Sequence, residues 1–170
     1  VDSVGAQQSG ASTNAVVSDD GRFVAFESDA TGLIPGDTNA RSDVYVHDTV
    51  TGANARASVS NLGNQASGDS FAPSISADGR FVAFHSLAAN LVLNDTNGPV
   101  ADVFVRDLVA GTTTVASSVS SGNTASGGNS LFPALTPDGR YVAFQSDATD
   151  LVAKDTNGFS DIFVRDLGPR

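Results

Sequence analysis

Asp78-Gly79-Arg80-Phe81-Val82-Ala83-Phe84 is the stretch on which the fold turns, because it occurs three times. The first copy is Asp20-Gly21-Arg22-Phe23-Val24-Ala25-Phe26, and the third is Asp138-Gly139-Arg140-Tyr141-Val142-Ala143-Phe144. Each is followed by an Asp-Thr-Asn triplet, at 37–39, 95–97 and 155–157. Each then continues into a second short run: Asp43-Val44-Tyr45-Val46-His47-Asp48, Asp102-Val103-Phe104-Val105-Arg106-Asp107 and Asp161-Ile162-Phe163-Val164-Arg165-Asp166. The leading Asp residues are 58 and 60 positions apart, and Asp43, Asp102 and Asp161 are spaced by 59. Self-similarity at a fixed period is the signature of a repeat architecture.

The 170 residues therefore read as one repeat domain, 1–170, with units at about 6–60, 61–120 and 121–170. Each unit is predicted to hold four strands. In the middle unit these are Ala72–Ser76, Phe81–Ser86, Asp102–Leu108 and Thr112–Val119, with the Asp78-Gly79 pair as a tight turn between the first two. Phe81-Val82-Ala83-Phe84 is apolar at four successive positions, so this strand is covered on both faces of its sheet. Serial antiparallel sheets, each packed between neighbours, make a β-propeller. The turns after the first and third strands are short, and the other two connections are long and polar. All three Asp-Thr-Asn loops thus emerge at one end of the sheets, where a rigid scaffold displays functional loops. The third unit is predicted to lack its outer strand.

Composition narrows the partners. Glu27 is the only Glu and Lys154 the only Lys, and the net charge is −10. Nucleic acid and anionic membrane surfaces both demand a basic footprint, so neither is expected. Cysteine is absent, which removes disulfide and thiolate chemistry. No apolar stretch is long enough to span a bilayer as a helix.

Pro-x-Ile/Leu-Ser/Thr-x-Asp-Gly-Arg-Tyr/Phe-Val-Ala-Phe, followed by Asp-Val-Phe-Val-Arg-Asp-Leu and Gly-Thr-Thr, resembles the TolB-like β-propeller repeat, a relative in architecture of the Trp-Asp (WD40-like) repeats. Ser76–Arg80 with Val82–Phe84, and Thr136–Arg140 with Val142–Phe144, carry the resemblance. The first copy departs, with Ala15 where Pro73 and Pro133 stand. The resemblance implies a propeller fold and a periplasmic or secreted bacterial setting. Family members include periplasmic proteins that bind a lipoprotein and propellers attached to peptidases.

The candidate metal ligands are Asp37, Asn39 and Asp43 in the first copy, Asp95, Asn97 and Asp102 in the second, and Asp155, Asn157 and Asp161 in the third. Hard oxygens at this spacing, with Gly158 at the turn of the third copy, look like the latter part of a Ca²⁺ loop. The third copy is expected to bind best, with Asp29 or Asp147 as additional donors. The competing reading has these side chains capping loop N–H groups as Asx-turns. Arg22, Arg80 and Arg140 are expected to form structural ion pairs with the recurrent Asp residues. His47 and His85 occupy different repeat positions, with no second ligand at metal spacing. No Gly-x-Ser-x-Gly elbow marks a nucleophile. The Gly-rich segments 63–68 and 122–127 lack a phosphate-loop Lys and read as linkers between units.

Three blades do not close a ring. The expectation is a non-enzymatic scaffold that closes its propeller by association with itself, as a homodimer of six blades or a homotrimer of nine. It would offer the acidic loop face to a protein or glycan. The alternative is a piece of a larger secreted propeller, whose metal-dependent or lyase-type site forms only in the full ring.

Overall fold

The structure, a computed structural model, describes residues 1–93, 95–119, 122, 124, 125 and 127–169. The predicted linker 122–127 therefore falls partly, at Asn123 and Ser126, outside the described residues. Eleven strands and no helix are present among them. Sheet 1 is β1 (Ser12–Val17), β2 (Phe23–Ser28), β3 (Asp43–Asp48) and β4 (Asn54–Arg56), in that order. Sheet 2 is β5 (Ser70–Ile75), β6 (Phe81–Ser86), β7 (Asp102–Asp107) and β8 (Thr112–Val115). Sheet 3 has three strands, β9 (Ser130–Leu135), β10 (Tyr141–Ser146) and β11 (Asp161–Asp166). All neighbours pair antiparallel.

Several strand boundaries of the second unit differ from the sequence reading. The outer strand of the second unit ends at Val115 rather than Val119. There the Ala116 and Ser117 amides both turn onto the Val103 carbonyl, and the chain leaves the sheet. The third strand ends at Asp107 rather than Leu108, because Asp107 Oδ1 accepts the amides of Val109 and Ala110 and closes the turn. The inner strand begins at Ser70, two residues before the expected start.

Every inner strand carries a bulge at the same place, with Asn14, Ala72 and Phe132 at φ of 53°, 49° and 53°. Left-handed backbone at an Ala or a Phe is unusual. The Ala72 amide donates to Glu27 Oε2 of the preceding sheet at 2.8 Å.

The core lies between sheets. Ala25, Val44 and Val46 of sheet 1 pack against Val82, Phe84 and Phe104 of sheet 2. Ala83, Val103 and Val105, on the opposite face of sheet 2, pack against Val142, Phe144 and Phe163 of sheet 3. All six residues of β6 are buried, as the apolar run requires. Phe84 and Phe144 are buried, whereas Phe26 of sheet 1 is only partly so. The Asp-Gly turns take part in this packing. A methyl group on Gly79 would overlap the Phe23 ring, and one on Gly139 the Phe81 ring. Gly79 and Gly139 thus each seat an aromatic ring of the preceding sheet.

Candidate functional site

The Asp-Thr-Asn loops join the second and third strand of each sheet and approach the start of the third strand. In the first copy, Asp43 opens β3 and is fully buried. Its Oδ1 accepts a hydrogen bond from Ser58 Oγ at 2.6 Å, and its Oδ2 accepts one from Asn39 Nδ2 at 2.9 Å. Asp37 Oδ2 accepts the Tyr45 hydroxyl at 2.5 Å. Antiparallel pairing sets Arg56, the last residue of β4, opposite Tyr45. From there Arg56 Nη2 lies 3.0 Å from Asp37 Oδ1, and Nε lies 3.5 Å from Asp43 Oδ2. The Arg56 side chain is 3% exposed. Burial pushes the Asp43 carboxyl upward against its hydrogen bond from Ser58 and the Arg56 charge. Burial and the bond to Asp37 raise the Tyr45 hydroxyl as well. The first copy is therefore a closed ion cluster with its own cation.

The second copy repeats the frame without that cation. Asp102 is fully buried, and accepts Ser117 Oγ at 2.7 Å and Asn97 Nδ2 at 2.9 Å. Asn97 Nδ2 also donates to the Ala125 carbonyl at 2.7 Å. Val115 now stands opposite Phe104, so neither a guanidinium nor a hydroxyl is supplied. Asp95 Oδ1 and Asn97 Oδ1 are buried atoms without a hydrogen-bond partner. Burial raises Asp95, and it pushes Asp102 up to about 6 against its hydrogen bonds from Ser117 and Asn97.

The third copy, expected to be the strongest, is the most open. Asn157 Nδ2 donates to Asp161 Oδ2 at 2.8 Å, and Asn157 Oδ1 accepts the Phe159 amide at 2.9 Å. The latter bond is the expected Asx-turn, and Asn39 Oδ1 makes its counterpart with the Arg41 amide. Asp29 and Asp147 are not directed to these loops. Asp29 Oδ1 accepts the Ala11 amide, and Asp147 lies against Gly128, both at the segment entering the inner strand. Among the described residues, no group of three or more His, Cys, Asp and Glu side chains converges. The donors on offer in each copy are two carboxylates and one amide.

Residues outside the motif complete the loops. Arg56, Tyr45 and Ser58 were not singled out in sequence, and neither was Gln65. Gln65 Nε2 donates to the Gly36 carbonyl at 2.7 Å, while its Oε1 accepts the Thr38 and Asn39 amides at 3.1 Å. Thr124 does part of this work in the second copy, accepting the Thr96 amide at 3.2 Å. The Gly-rich linkers therefore clamp the loops of the preceding unit.

The opposite end is structural. Arg22, Arg80 and Arg140 pair with Asp48, Asp107 and Asp166 at 2.8, 2.7 and 2.9 Å, and each guanidinium covers the next residue's ring. His47 meets Asn54 Oδ1 at 2.8 Å. His85 is buried between the Phe71 and Phe132 rings, and desolvation lowers its pKa against the nearby Glu27 charge.

Solved structures share this fold. A structure described as TolB from Agrobacterium tumefaciens superposes with a TM-score of 0.52 at 19% identity, over 89% of this chain and 44% of its own. The fold is that of a TolB-like β-propeller. A prolyl endopeptidase (TM-score 0.55, 16% identity, 94% of this chain and 21% of its own) shares the TolB-like sheets. So does the tricorn protease (0.55, 17% identity, 92% of this chain and 14% of its own). The chain thus spans less than half the length of the TolB structure. No protein-family model and no curated protein matches the sequence.

Proposed function

We propose that the chain is a non-enzymatic propeller scaffold that assembles with further copies of itself, sheet 3 of one copy packing on sheet 1 of the next. The observation that carries this reading is the outer face of sheet 3. Ile162 and Val164 are 72% and 67% exposed, yet their counterparts Val103 and Val105 are at 0% and 1%. Exposed apolar sheet faces of this kind drive association.

Sheet 1 offers a matching surface. Gly21, the counterpart of Gly79 and Gly139, has nothing within reach of an added methyl, and Tyr141 is the ring that would seat on it. Residues 2–6 form the same turn as residues 60–64. The Gly5 amide donates to the Asp2 carbonyl as Gly63 does to Ser60, and the Asp2 amide to Ala6 as Ser60 does to Asn64. That turn places the exposed Gln7 at the position of Gln65, ready to clamp the 155–157 loop of another copy. A contact between different faces of identical chains closes into a ring when its rotation allows. Two copies give six blades and three give nine, with the homodimer the first expectation.

The acidic loops would then line one face of the ring as a docking surface for a protein or glycan. Similarity to TolB supports a periplasmic or secreted setting. Native mass spectrometry of the chain at micromolar concentration should show a multiple of 17.2 kDa, and Ile162→Asp should return it to a folded monomer. A wild-type monomer would assign these faces instead to further blades of a longer polypeptide.

A further inference from the structure

We propose that the second Asp-Thr-Asn loop is a divalent-cation site, in which Asp95, Asn97 and Asp102 hold a hard ion of the Ca²⁺ class at the place that Arg56 fills in the first copy. The repeat supplies the comparison. Asp37 and Asp43 hold a cation belonging to the chain itself, at 3.0 and 3.5 Å. Asp95 and Asp102 occupy the same positions, with the same Asn and Ser bonds to the second carboxylate. What changes is the strand opposite, where Val115 replaces Arg56, and the neighbouring ring, where Phe104 replaces Tyr45.

The consequence falls on particular atoms. Both Asp37 Oδ1 and its counterpart Asp95 Oδ1 are buried without an aligned hydrogen bond, but Asp37 Oδ1 has the Arg56 charge 3.0 Å away and Asp95 has no such cation opposite it. Asn97 Oδ1 is buried and unpartnered too, because the residue two further on is Pro99, which has no N–H to donate. In the first and third copies the same Asn oxygen is taken up by a backbone amide. Buried oxygens without a donor are costly, and hard carboxylate and amide oxygens are the ligands that Ca²⁺ prefers. Two carboxylates match a divalent charge, and water fills the remaining coordination positions. The third copy, open and with its Asn oxygen engaged, lacks these features.

The test is thermal unfolding of the chelator-treated chain in CaCl₂ up to about 10 mM, above the weak range of extracellular Ca²⁺ modules. MgCl₂ and ionic-strength-matched NaCl are the controls. Ca²⁺ should raise the melting temperature by several degrees through mass action, NaCl should not, and calorimetry should count one site per chain. Asp95→Asn should abolish the shift, and Asp155→Asn should keep it. Phe104→Tyr with Val115→Arg, which rebuilds the first copy inside the second, should melt cooperatively and ignore Ca²⁺. The proposal is overturned if neither divalent ion shifts the wild-type chain. It is equally overturned if the shift survives in both Asp95→Asn and the double variant.

Discussion

The first and second Asp-Thr-Asn loops hold their last Asp in the same Asn and Ser bonds, and differ in what stands across the sheet from them. In sheet 1, Arg56 and Tyr45 close the carboxylates into a buried ion cluster. In sheet 2, Val115 and Phe104 leave buried oxygens unmatched. The lesson is that a repeated motif specifies a frame, while the outer strand decides what the frame holds. A buried carboxylate pair demands a positive partner in either case. One copy draws it from within the chain, and the proposal is that the other draws it from solution.

The sharpest way to break the contrast is Arg56→Val, which turns the first loop into a second one. Removing one partner from a buried ion cluster costs about 3–5 kcal/mol, measurable by urea unfolding. In the same variant, Ca²⁺ should recover part of the loss, because the vacated place then resembles that beside Asp95. Tyr45→Phe probes the contrast more gently. It removes the donor to Asp37 Oδ2 and should cost about 1–3 kcal/mol, whereas Phe104→Ala in sheet 2 would test packing instead.

The smallest effect is expected at the other end of the sheets. The Arg140 guanidinium and the Gly168 amide hold Asp166 down to about 2. A carboxylate with a lowered folded-state pKa contributes stability above its ordinary pKa near 4 and loses it as the pH falls toward 2. The pair is exposed on both sides, so salt near 1 M should mute this acid-side loss. The buried Arg56 cluster should keep its contribution in the same buffer. Melting curves of wild type and Asp166→Asn between pH 2 and 6, at low and high salt, check the first statement, and wild type against Arg56→Val at pH 6 in both salts checks the second.

The sheets themselves were readable from the chain, because Phe81-Val82-Ala83-Phe84 and Val103-Phe104-Val105 are continuous apolar runs bounded by turn residues. The Asp107 turn bonds were readable as well, since Asp bonds locally to the amides that follow it. Arg56 was not. It sits in a strand of three residues with no apolar pattern, and only the β3–β4 register brings it over Tyr45. Gln65 escaped notice for a related reason: its long side chain reaches a loop 26 to 29 residues away, a distance that no local pattern records. The one available signal was the substitution pattern between repeats, in which Tyr45 with Arg56 becomes Phe104 with Val115.

Sheet 2 alone is covered on both faces, and that position governs how the chain opens. In stacked units the stability of each member is its own plus that of its contacts with neighbours. The outer sheets, each missing one neighbour, should therefore open more often than the middle one. Amide protons of β6 and β7 should be the last to exchange with deuterated solvent, and those of β11 among the first. Joining two copies face to face would remove this gradient, so the exchange rate along β11 becomes a clock for assembly that needs no attached probe.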